Sequence, residues 1–331
     1  MRAVTCTKLG SVDNLEVLDV PSPRPADGEV LVDVKAASLN FMDVLKIRGH
    51  YQVKPPLPFT PGEELAGVVS AVGPNVHGFS IGDRVAALAP GAFAEVAAVP
   101  AARLMRVPDA MSLRDASAFF VVYGTSLRAL KTCAQLGRGE VLLVLGGAGG
   151  VGIAAIELGK AMGAKVIAAA STPQKREACL RAGATVAIGY ERLREQCDEL
   201  TERHGIDVVF DPLGGTLTET ALRATAWRGR LVVVGFASGT VPSVPVNLTL
   251  LKERTITGVY LGGSMDHDPL SNVENYELLK SWYADGTLRP VISDEVGLQE
   301  VGAALRRLEG RQVVGKIVVL PDKGNDINLN T

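Results

Sequence analysis

Up to about residue 115 the apolar positions fall in short β-rich segments, at 16–20, 29–36, 66–72, 84–88 and 93–99. Turn signals separate them: Pro21-x-Pro23-x-Pro25, Asp27-Gly28, Pro61-Gly62, Gly73-Pro74 and Pro90-Gly91. Regularly spaced short strands with Gly/Pro turns predict a compact barrel-like β domain. From Leu113 the texture changes. Helical patterns alternate with buried apolar runs at 141–145, 165–169, 185–188, 207–210 and 230–234. That alternation predicts βαβ units and a parallel sheet with helices on both faces, whose ligands bind beyond the strand ends. After about residue 262 come a helix at 273–282, a Gly/Pro turn, a helix at 298–308 and a strand at 315–320. This segment is too small to stand alone and is expected to rejoin the first domain. The expected division is therefore 1–120 with 262–331, and 121–261. The last ten residues are polar and expected to fray.

The run 141–152 carries the sharpest chemical signal. Five apolar residues lead into Gly147-x-Gly149-x-x-Gly152, and a helical stretch follows to Met162. A strand, this turn and a helix in sequence form a dinucleotide fingerprint. The first glycine permits the tight turn, the second lets backbone approach a pyrophosphate, and the third lets helix and strand pack closely. The free N–H groups of the helix start favour an anion. Candidate cofactor contacts are Gly147, Ala148, Gly149, Gly150, Val151 and Gly152. The rival reading, a glycine-rich packing turn, leaves five glycines at 146, 147, 149, 150 and 152 with an entropic cost that alanine avoids.

Composition narrows the class. The chain has 331 residues, 47% hydrophobic and 21% charged, and a formal net charge of -2. This is enough for two cored domains and gives no footing for nucleic acid or an anionic membrane. Cys6, Cys133, Cys179 and Cys197 are far apart without a CxxC pair, as in a reduced cytoplasmic protein. The N-terminus reads as a strand without the apolar core of a signal peptide. The apolar stretch 141–170 is interrupted by glycines and by Glu157, Lys160 and Lys165, which excludes a membrane span there.

The second strand of a dinucleotide fold that selects NAD ends in an acid, which binds the ribose hydroxyls. Here that strand ends in Ala170 and Ser171, and Lys175 and Arg176 follow, beyond a Thr172 N-cap and Pro173 at the first helical position. A hydroxyl with cations suits a 2′-phosphate that a carboxylate would repel, so NADPH is expected over NADH. Tyr190, past the third strand, is a candidate for the same adenosine pocket. A solvated helix face is the alternative for the two cations.

Taken in order, the motifs resemble those of the medium-chain dehydrogenase/reductase superfamily, in its zinc-independent quinone oxidoreductase branch. The resemblance spans about residues 1–321. It rests on Asn40-Phe-Met-Asp43, Arg48-Gly-x-Tyr51, Pro61-Gly-Glu-Glu-x-Ala-Gly67, Gly82-Asp-Arg-Val85, Tyr123-Gly-Thr125 and the glycine turn. Asp211-Pro-Leu-Gly-Gly215, Gly235-Phe-Ala-Ser-Gly239, Val246-Asn-Leu-Thr-Leu250 and Gly315-Lys-Ile-Val-Val319 continue it. It implies an α/β protein in which a GroES-like β-barrel catalytic domain accompanies a Rossmann doubly wound parallel sheet, and a homodimer paired through the edge strand near 255–260.

Zinc-dependent relatives place a Cys where this chain has Asn40 and a His where it has Glu63. Their third ligand falls in 117–123, which holds neither Cys nor His, and their four-cysteine lobe falls near 87–92, which holds no Cys. The four histidines are scattered, so no metal is expected. Without a Lewis acid, hydride transfer suits acceptors that are already activated: a quinone first, with a conjugated enone, alkenal or enoyl thioester as the alternative. A nucleotide-holding protein whose work is binding is the remaining reading.

The resemblance points to Asn40, Asp43 and Tyr51 near substrate and nicotinamide, and to Thr125 on the nicotinamide side. Asn40 is a candidate for bonding a substrate carbonyl or the cofactor ribose, and Tyr51 for stacking on a flat ring. Phe236 and Ser238 are candidate cofactor-loop residues. The plain alternatives are a turn Asn, a helix-start acid, a packed Tyr and a helix-face hydroxyl.

Overall fold

The computed structural model describes residues 1–323, and the polar tail expected to fray lies almost wholly outside them. The chain divides into two units, residues 1–121 with 292–331, and residues 122–291.

The first unit is a mainly antiparallel β structure. Its strands are β1 (Arg2–Cys6), β2 (Leu15–Asp19), β3 (Glu29–Ser38), β4 (Glu64–Val72), β5 (Arg84–Leu88), β6 (Val96–Pro100) and β7 (Leu104–Arg106). β3 is its hub, pairing antiparallel with both β4 and β6. The sequence explains why: Val30, Val32 and Val34 alternate inward and are buried, while the residues between them face outward. Phe93, Leu65 and Ile47 complete the core beside them, each burial worth about 1.5–3 kcal/mol.

The second unit is a parallel sheet of β8 (Val141–Val144), β9 (Lys165–Ala169), β10 (Val186–Ile188), β11 (Ile206–Asp211), β12 (Thr225–Val233) and β13 (Thr255–Gly258). The strand order is β10-β9-β8-β11-β12-β13, and every pairing is parallel. Counted from β8, that is the order 3-2-1-4-5-6 of a doubly wound dinucleotide fold, with the reversal of direction at β8. Leu142, Leu143, Val144, Val208, Val209 and Phe210 are fully buried, as central parallel strands covered on both faces require.

The chain returns to the first unit at Ile292, later than the expected residue 262. Helices Leu261–His267 and Pro269–Ala284 belong to the second unit. Specific contacts hold them there: Arg128 pairs with Asp268 at 3.0 Å, and Lys131 donates to Asn275 Oδ1 at 2.8 Å. Apolar periodicity near 273–282 shows a helix but not its partner. From Ile292, β14 (Ile292–Val296) and β15 (Lys316–Val319) complete the first unit, where β15 pairs parallel with β14 and antiparallel with β3. No helix among the described residues is long and apolar enough to cross a membrane.

Candidate active site

In the second unit β8 runs into the glycine turn and helix Gly150–Ala161 begins at once. Gly146 has φ +60, the left-handed region open to glycine. A β-carbon on Gly152 would lie 2.3 Å from the Gly146 carbonyl oxygen, so the packing of the turn demands glycine there. Gly149 differs. Its β-carbon would meet only the Gly146 oxygen, at an ordinary 3.5 Å. Glycine at 149 therefore keeps open a space that the protein leaves unfilled. The first intrahelical bond runs from the Ile153 N–H to the Gly149 oxygen, at 2.8 Å. The N–H groups of Gly150, Val151 and Gly152 precede it, a cradle that fits a pyrophosphate. Gly147, Ala148 and Gly152 are buried, while Gly149, Gly150 and Val151 are half-buried.

Tyr190 braces this turn. Its hydroxyl accepts from the Gly146 N–H at 3.3 Å and lies 3.2 Å from the Ala169 carbonyl oxygen, to which it donates. The end of β9 is built as expected: Thr172 caps helix Pro173–Arg181 by accepting from the Lys175 N–H at 3.2 Å, with Pro173 at the first position. Ser171 is exposed and Lys175 half-buried. The Arg176 guanidinium reaches back to the Ala170 carbonyl at 3.2 Å, which places a cation at the strand end rather than on a solvated helix face.

Phe236 and Ser238 lie on the loop after β12. Backbone bonds from Ala237 to Pro212 and from Ser238 to Leu213 tie that loop to the one after β11. Its anchor is the buried Asp211. One carboxylate oxygen accepts from the Leu213 and Gly214 N–H groups at 2.9 Å each, and the other from the Thr218 hydroxyl at 2.6 Å. Thr125 is half-buried on helix Phe120–Leu127, whose Ser126 hydroxyl donates to the Val151 oxygen at 3.0 Å. One turn earlier, Tyr123 donates to Glu157 at 2.5 Å, and burial pushes the Glu157 carboxyl up to about 7.

In the first unit Asn40 and Asp43 open helix Phe41–Ile47. Asp43 Oδ2 accepts from the Asn40 N–H at 2.7 Å, as in a capping box. Its Oδ1 is buried without a partner, and burial pushes the carboxyl up to about 7. Asn40 is 9% exposed and fully engaged. Its Nδ2 donates to Glu64 at 3.2 Å and to the Ser38 oxygen at 3.3 Å, and its Oδ1 accepts from Lys316 at 2.6 Å. Lys316, on β15, also donates to the Leu39 oxygen at 2.9 Å and to Glu64 at 3.4 Å. Burial pushes this ammonium down while the Glu64 and Asp43 carboxylates hold it up. Glu63 is paired with Lys46, whose ammonium sits 5.3 Å from the centre of the Tyr51 ring. Lys316, Glu64 and Asp211 escaped the sequence-based choice of site residues. The available signal was a lone cation inside the apolar strand Gly-Lys-Ile-Val-Val.

A mainly antiparallel β unit together with a β10-β9-β8-β11-β12-β13 sheet, and a glycine cradle where its order reverses, defines a two-domain oxidoreductase of the dehydrogenase type. Residues 26–109 match the alcohol dehydrogenase GroES-like domain, and residues 150–274 match the family described as zinc-binding dehydrogenase. The chain is 37% identical to a quinone oxidoreductase-like protein 2 homolog of Nematostella vectensis, over 96% of this chain and 88% of that one. It is 31% identical to quinone oxidoreductase of Homo sapiens, over 97% and 98%. Escherichia coli quinone oxidoreductase complexed with NADPH is a structural neighbour with a TM-score of 0.92 at 30% identity, covering 97% of this chain and all of that one. A mycobacterial protein complexed with NADPH matches with a TM-score of 0.91 at 30% identity, over 97% and 100%. The chain belongs to the quinone oxidoreductase branch of the medium-chain dehydrogenase/reductase superfamily.

Proposed function

We propose that this oxidoreductase reduces quinones with NADPH and without a zinc ion. The observation that carries the reading is the state of Asn40 and Glu63. At the two positions where zinc-dependent relatives place ligands, the oxygens already hold the ammonium groups of Lys316 and Lys46. A site built to receive ammonium groups is a poor host for a dication, whose ligands must turn free oxygen, nitrogen or sulfur atoms inward. Among the described residues no cluster of three His, Cys, Asp or Glu side chains stands elsewhere to replace it.

NADPH, when bound, supplies the hydride. The turn 147–152 and the helix start hold the pyrophosphate. Ser171, Lys175 and Arg176 receive the 2′-phosphate, the Tyr190 ring borders the adenosine, and Phe236, Ser238 and Thr125 position the remainder. Asn40, Asp43 and Tyr51 serve the reacting end, with the Tyr51 ring as a flat surface for the quinone. Reduction needs one hydride per hydroquinone monoanion, and one proton for the neutral product. The protein's task is to orient the partners and exclude water.

A homodimer through β13 and a cytoplasmic location belong to the same reading. β13 is a sheet edge, and Ile256, Leu250 and Tyr260 close to it are exposed. The four cysteines are free.

The test is NADPH oxidation against two quinones, an alkenal and an enoyl-CoA, with NADH and EDTA as controls. Quinone turnover with NADPH, unchanged by EDTA, is expected. A preference for the alkenal or enoyl-CoA transfers the assignment to alkene reduction, and loss of turnover with EDTA overturns the metal-free reading.

A further inference from the structure

We propose that Glu157 is a proton-operated clasp on the chain where it leaves the second unit. Protonated, it frees the Tyr123 hydroxyl to hold the Arg289 carbonyl; ionised, it takes that hydrogen and loosens residues 289–291.

The chain passes from one unit to the other at 121–122 and back at 291–292. Tyr123 lies just beyond the first passage and Arg289 just before the second. Both belong to the second unit, as does Glu157 on helix Gly150–Ala161. Pro290 has no N–H, so Arg289 carries the backbone bonds of this short stretch. Its N–H donates to Glu157 Oε2 at 3.3 Å, and its carbonyl oxygen lies 2.9 Å from the Tyr123 hydroxyl.

Counting hydrogens makes the arrangement a switch. The Tyr123 hydroxyl is 2.5 Å from Glu157 Oε2 and 2.9 Å from the Arg289 oxygen, with one hydrogen to give. The Arg289 carbonyl brings none. An ionised Glu157 is the stronger acceptor and takes the hydrogen. Two oxygens then face each other at Arg289 with no hydrogen between them, against a tyrosine that is 1% exposed. A protonated Glu157 donates to Tyr123, Tyr123 donates to Arg289, and Oε2 still accepts the Arg289 N–H. Every contact is then satisfied.

The surroundings set the exchange near neutrality. Burial pushes the Glu157 carboxyl up to about 7, outweighing its hydrogen bonds and the charges of Lys160 and Arg289. Lys160 faces it from the next turn of its own helix, Arg289 from the departing chain, and helix Phe120–Leu127 brings Tyr123. The Arg289 guanidinium is turned toward the Tyr283 and Leu288 carbonyls and lies 4.3 Å from the centre of the Tyr283 ring.

The experiment is amide hydrogen exchange on the full chain at about pH 6 and about pH 8, on either side of the neutral exchange. Protection is expressed against the intrinsic rate at each pH. In wild type the peptide over residues 286–292 should lose about three- to tenfold in protection at the higher pH, as loss of one hydrogen bond implies. Glu157→Gln, whose amide N–H donates to Tyr123 at either pH, should keep the acid-side protection at both. Tyr123→Phe should be weakly protected at both. Equal protection of the wild-type peptide at the two pH values overturns the proposal, and so does a Glu157→Gln peptide that follows pH as wild type does. An equal loss in the β8 and β11 peptides also overturns it, because the change is then global. Wild type and Glu157→Gln decide the matter if Tyr123→Phe does not fold. If neither variant folds, the wild-type peptides decide it, together with the infrared band of a protonated carboxyl, expected to be lost from the lower to the higher pH.

Discussion

The Tyr190 hydroxyl lies 3.3 Å from the Gly146 nitrogen, and the same oxygen donates to Ala169 at the end of β9. One side chain thus ties the glycine turn to the neighbouring strand. Tyr190→Phe removes both bonds and keeps the ring. The NADPH dissociation constant should rise about three- to tenfold, with a loss of stability of about 1 kcal/mol and little change in kcat. Fluorescence titration and thermal melting check it. An unchanged dissociation constant would show that the turn holds its shape without the brace.

Gly149 and Gly152 make opposite predictions. Gly152→Ala forces a β-carbon to 2.3 Å from the Gly146 oxygen and should lower the melting temperature by several degrees. Gly149→Ala meets nothing closer than 3.5 Å and should leave the melting temperature within a degree or two. It should nevertheless weaken NADPH at least tenfold, since the added methyl occupies the space for the phosphate. Normal affinity in Gly149→Ala would remove the pyrophosphate from this turn.

Cofactor choice follows from the end of β9. Ser171→Asp sets a carboxylate beside the site assigned to the 2′-phosphate while leaving the ribose hydroxyls a partner. The ratio of kcat/KM for NADPH over NADH should fall by one to two orders of magnitude. Parallel initial-rate measurements with the two nucleotides decide it, and an unchanged ratio would place the 2′-phosphate elsewhere.

Asp43 makes stability depend on pH. Its carboxyl is pushed from an ordinary 3.8 up to about 7 in the native state. Between those values the folded protein keeps a proton that the unfolded chain has released. Stability is therefore greatest at the acid end of this window and falls as pH rises through it, by a few kcal/mol in all. Glu157, moved from 4.5 to about 7, acts in the same sense. Asp43→Asn keeps an acceptor for the Asn40 N–H and should flatten the decline in melting temperature from pH 5 to 8, with Glu157→Gln flattening it further. Identical slopes in wild type and both variants would contradict the buried-acid account.

The parts of this architecture written in periodicity were legible before the structure. The alternation of Val30, Val32 and Val34 foretold a strand with one buried face, and the apolar runs of β8 and β11 a sheet covered on both. The glycine turn was legible because close approach and a left-handed φ leave few other residues possible. The fate of the helix Pro269–Ala284 was not, since its attachment depends on Arg128–Asp268 and Lys131–Asn275, more than 130 residues apart in sequence. Asn40 illustrates the same limit. Its position in the chain marked it as a candidate, but its orientation is set by Lys316, which follows it by 276 residues. Long-range polar partners of this kind have no local signature.

The most direct test of the whole account is quinone reduction by protein stripped of metal, with NADPH deuterated at the transferred position of the nicotinamide. The account predicts undiminished turnover, one hydroquinone per NADPH and a slower hydride step with the deuterated donor. Activity that disappears on metal removal and returns with zinc would contradict it.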